Sequence, residues 1–222
     1  MRLFSFIFLL SVLPVSAFAS PLNLSLIKCL HDLMPREVET SKVTLRLTQA
    51  SDEPKLLEIM NNPEVAKTFG EVSAEKYADR GALSNTRVEY TIWLNDQIIG
   101  LVQSASYNNR NGTYPFLSKN EGWTTIGYAI HPQFWGQGIA TEVVEQIVLL
   151  LDVTIDPTYY FVTVGADNPA SVKVLERNGF VSFLKNENGT IDYVRRKDRN
   201  DLMLRYYWKS LKDWFKRSVS GK

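Results

Sequence analysis

The chain opens on an apolar run and changes character about twenty residues in. Residues 1–20, MRLFSFIFLLSVLPVSAFAS, hold one charge, Arg2, then an apolar stretch from Leu3 to Leu13, then Pro14 and Ala17-Phe18-Ala19. A positive start, a short apolar stretch and an A-x-A exit form the three-part pattern of a secretory signal peptide. The stretch falls short of the roughly 20 apolar residues that a membrane-spanning helix needs. The pattern therefore predicts an exported protein, with residues 1–19 a signal peptide cleaved after Ala19 and no integral membrane span in the mature chain. Residues 20–41 read as a tether that carries the lone Cys29. An alternative start at Met34, just ahead of the first strand, would make the protein cytoplasmic.

From Lys42 onward strand and helix patterns alternate. Val43–Thr48 alternates and is β-rich, hence a strand. Ser51 or Asp52 can cap a helix running to about Asn62, and a second helix is predicted around Ala74–Leu83. Val88–Leu94 and Gln97–Ser106 flank Asn95-Asp96, a hairpin signal. Asn108–Trp123, rich in Asn and Gly, reads as an insertion loop, and Thr124–His131 as a strand ended by Pro132. In Gly138–Leu151 a stripe of Ile139, Val143, Ile147 and Leu150, with Val144, Val148 and Leu151 beside it, predicts an amphipathic helix. Tyr159–Val164 has almost no polar residue, so it reads as a central strand covered on both faces. Asn168 or Asp167 caps the next helix, Pro169 fits its first turn and Gly179 its left-handed exit. Phe180–Leu184 and about Leu202–Tyr207 complete the strands. The order implies one α/β domain, a mixed sheet with helices on both faces.

Composition narrows the chemistry. With 222 residues, 25 basic against 24 acidic side chains and a formal charge of +1, the chain makes no electrostatic case for nucleic acid. One cysteine excludes an internal disulfide framework, and two histidines, His31 and His131, make a His-rich metal site improbable. No HExxH, GxxxxGK[ST] or GxSxG occurs. What remains is a strand-to-helix turn, Gln133-Phe-Trp-Gly136-Gln137-Gly138-Ile139-Ala140-Thr141. Two glycines bring the backbone close with no side chain in the way, and the helix that follows adds free N–H groups and a positive dipole end. Such a turn can hold a pyrophosphate, or it can be structural alone. It is not a dinucleotide fingerprint, because Thr141 fills the last position of GxGxx[GA].

Gln133-x-x-Gly136-x-Gly138 matches the [QR]xxGx[GA] signature of the GNAT superfamily of N-acetyltransferases. Ile126–Pro132 resembles that family's fourth strand, and Asn168-Pro-Ala-Ser171 with Asn178-Gly179-Phe180 resembles its second cofactor segment. The resemblance spans about residues 42–208 and is closest to the branch that acetylates ribosomal-protein N termini. It implies acetyl-CoA as cosubstrate and an amine acceptor, either a protein N terminus or a small molecule. The resemblance places the pyrophosphate on the backbone of Gly136, Gln137, Gly138, Ile139, Ala140 and Thr141, and makes Gln133 a cofactor-binding residue as well. It lays the pantetheine along Ala129, Ile130 and His131, and brings Asn168 and Ser171 to the thiol end. Direct attack by the amine is implied, with a backbone N–H near Ile130 as oxyanion donor.

In that branch a glutamate on the fifth strand is the base and a tyrosine on the following helix the acid. Thr163 and Leu175 stand there instead. Ser171 becomes the candidate acid and Tyr128 the second hydroxyl. A base is either a water relay from Glu121 or His131, or unnecessary. An idle GNAT fold that binds CoA or a partner, and an exported effector acetylating a host target, are the alternative readings. The tail, residues 209–222, is basic and amphipathic: Tyr207, Leu211, Trp214 and Phe215 share a helical face, to dock on the domain or on a membrane surface or partner. Asn23, Asn111 and Asn188 begin N-x-[ST] sequons.

Overall fold

The computed structural model describes residues 33–70, 72–75, 77, 87–108, 122–155 and 157–196. The signal peptide, most of the tether with Cys29, residues 109–121 of the insertion, the strand expected at Leu202–Tyr207 and the basic tail lie outside them.

Among the described residues eight strands form one sheet: β1 (Glu37–Glu39), β2 (Thr44–Leu47), β3 (Arg87–Leu94), β4 (Gln97–Asn108), β5 (Gly122–Ile130), β6 (Tyr159–Gly165), β7 (Val181–Lys185) and β8 (Thr190–Arg196). Their order across the sheet is β1-β2-β3-β4-β5-β6-β8-β7. Every pairing is antiparallel except β5 with β6. The helices described in full are α1 (Glu53–Met60), α2 (Pro63–Phe69), α3 (Ile139–Thr154) and α4 (Pro169–Arg177).

Strand alternation divides the core in two. On one face Tyr90, Ile92, Val102, Ile126, Ile130, Tyr160 and Val164 meet Ile139, Val143, Val144, Ile147, Val148 and Leu151 of α3 and Leu175 of α4. On the other, Leu101 and Ala129 meet Leu56 and Met60 of α1 and Val65 of α2. The mixed α/β sheet with helices on both faces is thus the observed architecture, and the α3 stripe is the one its spacing predicts.

Three elements differ from expectation. The first helix stops at Met60, because Asn62 Oδ1 accepts from the Glu64 N–H and Pro63 opens a new helix, α2. The end of the expected tether is a strand: β1 pairs with β2, Met34 is buried in the core and the Tyr90 hydroxyl donates to Pro35 O at 2.7 Å. The strand after β7 is Thr190–Arg196, entered through a turn at Asn188-Gly189 with Gly189 at φ +81°. Of the second expected helix, Ala74, Glu75 and Tyr77 are helical and the rest lies outside the described residues.

The feature that matters for function is a divergence. β5 pairs with β4 along its whole length, Gly122 to Ile130, but with β6 only at Trp123, Thr124 and Thr125. Beyond Thr125 the two parallel strands part, and α3 and α4 open onto the gap.

Candidate active site in the gap between the two parallel strands

The gap begins at the end of β5. The His131 N–H donates to Ile99 O at 2.8 Å, on the β4 side. Because N–H and C=O groups alternate sides along a strand, those of Ile130 and Tyr128 face away from β4, into the gap. The Ile130 carbonyl is already engaged: the Trp135 indole N–H donates to it at 2.7 Å. The Ile130 N–H faces the same gap, so it is placed as an oxyanion donor should be.

The floor of the gap is the turn into α3. Gly136 and Gly138 have φ of +76° and +75°, where only glycine is unstrained. No side chain caps α3, and its first internal bond runs from the Glu142 N–H to Gly138 O at 3.2 Å. The N–H groups of Ile139, Ala140 and Thr141 therefore have no partner within the helix, and all three residues line the gap. Free donors, a helix dipole and a backbone without Cβ atoms suit a pyrophosphate. α4 contrasts with α3, since its own Asn168 caps it by accepting from the Ser171 N–H at 3.1 Å.

The turn is braced from outside. Lys42 Nζ donates to Gln137 O at 2.7 Å, and the Lys42 N–H and Ser41 hydroxyl donate to the two oxygens of Glu142 at 3.1 and 2.9 Å. Burial opposes ionisation of Glu142, but hydrogen bonds from Thr40, Ser41 and Lys42 outweigh it and hold its pKa below the usual carboxylate range. On the inside, buried Asn178 donates from Nδ2 to Thr141 O at 3.1 Å and to Val174 O at 2.9 Å, locking α4 onto the first turn of α3.

Together these elements enclose a groove of about 530 Å³. Tyr128, Ile130, Gly136, Gly138, Ile139, Ala140, Thr141, Asn168 and Ser171 all line it. His131, Gln133 and Gln137 do not line it. His131 Nδ1 accepts from the Gln133 N–H at 3.4 Å, and Gln137 Nε2 donates to Gln133 O, so these side chains shape the turn. Tyr128 Oη is sealed from solvent with no hydrogen-bond partner of ordinary geometry. Burial raises its pKa, while the neighbouring Ser171 side chain pulls it down. The phenol therefore stays protonated through the neutral range.

Thr163 and Leu175 also find their places. Leu175 is fully buried in the core. The Thr163 hydroxyl donates at 2.6 Å to Asp192 of β8, whose other oxygen accepts from Asn186. That carboxylate lies outside the groove lining.

Two contributors escaped the sequence. α2 supplies a groove wall through Val65, Thr68 and Phe69; the Asn62-Pro63 cap was its signal. Trp135 lines the groove and caps Ile130 O, with no signal beyond its place between the motif's glutamine and first glycine. Among the described residues no group of His, Cys, Asp or Glu is arranged to hold a metal, and no helix is long and apolar enough to cross a membrane.

The model of the acetyltransferase (GNAT) domain matches residues 42–181, well over half of the chain. The protein belongs to the GNAT acetyltransferase family. Solved structures agree on the fold. AAC(6')-Ib, an aminoglycoside acetyltransferase in complex with coenzyme A, superposes with a TM-score of 0.57 at 21% identity, covering 70% of this chain and 95% of that one. The GNAT domain of S. lividans PAT reaches a TM-score of 0.60 at 15% identity, covering 72% and 96%. A domain from Methanocaldococcus jannaschii gives 0.58 at 21%, covering 71% and 99%. The chain is accordingly an N-acetyltransferase that uses acetyl-CoA. Its uncapped α3, glycine turn and open β5 edge fit that cosubstrate.

Proposed function

We propose that this acetyltransferase modifies a primary amine, with a protein or peptide α-amine as its preferred acceptor. The observation behind this reading is the poverty of bases in the groove. Among the described residues no histidine lines it and its carboxylates are Asp167 and Glu64, the latter ion-paired to Lys67 at 2.7 Å; Glu121 lies outside them. An α-amine with a pKa near 8 is about one-tenth neutral at pH 7, which costs ~1.4 kcal/mol, whereas a lysine amine near 10.4 costs ~4.6 kcal/mol. A base-poor site favours the amine that arrives neutral.

Bound acetyl-CoA supplies an activated acetyl thioester. In our reading the free N–H groups of Ile139, Ala140 and Thr141 hold its phosphates, and the Ile130 N–H stabilises the oxygen that becomes negative as the amine attacks. Ser171 and Tyr128 pass the leaving thiolate a proton, and the proton that the attacking nitrogen gives up restores the hydroxyl.

The test is thiol release with three acceptors: a free-N-terminus peptide, an N-blocked lysine peptide and an aminoglycoside. We expect the α-amine peptide to lead at pH 7 by roughly a hundredfold over the lysine peptide, with kcat/KM rising to a plateau near pH 8. A faster aminoglycoside would favour a small-molecule acceptor, the class bound in AAC(6')-Ib complexes with paromomycin and kanamycin. CoA binding without turnover would favour the idle-fold reading.

We further propose export, on the pattern of residues 1–19. Among the described residues the first buried one is Met34, well beyond the proposed cleavage after Ala19. N-terminal sequencing of the protein from its source should begin at Ser20; a start at Met34 would overturn export.

A further inference from the structure

We infer that Lys173 and Arg177 of α4 form a second phosphate site, one that recognises the 3′-phosphate of CoA. The inference rests on the acetyl-CoA reading and adds to it a discrimination between CoA and its 3′-dephospho form.

Lys173 and Arg177 both line the groove, and at four residues apart they share one face of α4. Both are exposed. Among the described residues neither takes part in an ion pair, whereas Lys67, the other cation lining the groove, is paired with Glu64 at 2.7 Å. Two like charges at this helical spacing repel each other, so the pair is unfavourable unless an anion sits between them. Arg177 lies in the last turn of its helix, where the dipole alone would account for a cation. Lys173 lies mid-helix, and the dipole gives no reason for it.

Their placement selects the phosphate. Asn178, next to Arg177, donates to Thr141 O, so the C-terminal turn of α4 abuts the first turn of α3. The N-terminal turn of α4 instead sets the Ser171 side chain beside Tyr128. The pyrophosphate is served by the backbone donors of α3, which carry only a partial positive charge. A phosphomonoester carries close to two negative charges at neutral pH and calls for full cations. Flexible, exposed Lys and Arg side chains beside the pyrophosphate turn match a group at the outer end of the cosubstrate. They do not match the buried chemistry at Tyr128.

The experiment is calorimetric binding of CoA and 3′-dephospho-CoA to the full chain and to K173A/R177A, at low and at physiological salt. The wild type should bind CoA at least roughly tenfold more tightly than dephospho-CoA, the scale of a hydrogen-bonded charge pair. The preference should shrink as salt rises. In K173A/R177A, CoA should bind as weakly as dephospho-CoA, and dephospho-CoA affinity should match the wild type. Equal wild-type affinity for the two ligands would overturn the inference, as would a preference that survives the double substitution. Failure of the wild type to bind either ligand would instead strike at the acetyl-CoA reading itself.

Discussion

Gly138→Val is expected to abolish measurable acetyl-CoA binding while the fold persists. Gly138 stands at φ +75°, a region that costs an L-residue about 1–2 kcal/mol and a β-branched one more. A Cβ there would also come within 2.8 Å of Lys42 Nζ, the atom that braces the turn on Gln137 O. Lys42 Nζ, the far end of a flexible side chain, must move off Gln137 O, and the strain at the left-handed φ then relaxes the unbraced turn, so the N–H groups of Ile139, Ala140 and Thr141 lose their common aim. Each charge-assisted hydrogen bond lost removes about 1.5–3 kcal/mol, so losing two lowers CoA affinity by two orders of magnitude or more. The strain is smaller than the roughly 5–15 kcal/mol that holds a domain folded. Gly136 makes the control: its φ is +76° but a Cβ would meet nothing within 4 Å, so Gly136→Ala should weaken binding less. Calorimetry with CoA and a thermal melt decide the matter. Unchanged CoA affinity in Gly138→Val would remove the turn from the binding site.

Local chemistry made part of this site legible. The α3 stripe, the paired glycines and the Asn168 cap are each written within a dozen residues, and each folds as its spacing implies. β8 was harder to read. Tyr193 and Val194 are adjacent and both buried, because β8 sends Tyr193 into the main core and Val194 against Phe161 and Phe183 on the other face, so its alternation is weak. The remaining features are products of distance along the chain. The Lys42 brace joins residues 95 apart, and the Asn178 lock joins residues 37 apart. The gap itself exists because β5 and β6 pair at three positions and then diverge, a property of two strands that neither strand encodes alone. His131 shows the limit from the other side. The motif places it beside the cofactor, and its N–H on Ile99 O and its Nδ1, which accepts from the Gln133 N–H, are bonds across the turn that the motif does not spell out.

Ser171→Ala should slow the chemical step more than it weakens binding. Ser171 is the third residue of α4, fixed by its N–H on Asn168 Oδ1, and its side chain lines the groove beside Tyr128. Loss of a general acid lowers kcat and kcat/KM together, by roughly 10²–10⁴ when no other donor stands in. Here another donor stands close. Tyr128 Oη is sealed beside the Ser171 side chain, and burial raises its pKa more than Ser171 lowers it, so it carries its proton across the neutral range. Ser171→Ala alone is therefore expected at the low end of that range, Tyr128→Phe at a similar or smaller loss, and the double variant at less than the product of the two. Such non-additivity is the mark of two groups serving one proton. The wild-type rate should show no falling limb below about pH 10, since a phenol with a raised pKa does not deprotonate there. A raised KM for acetyl-CoA with kcat intact would make Ser171 a contact that positions the thioester and leave Tyr128 as the acid. If neither variant nor their combination slows turnover, the thiolate leaves without a proton from the protein, and both hydroxyls belong to the wall of the groove.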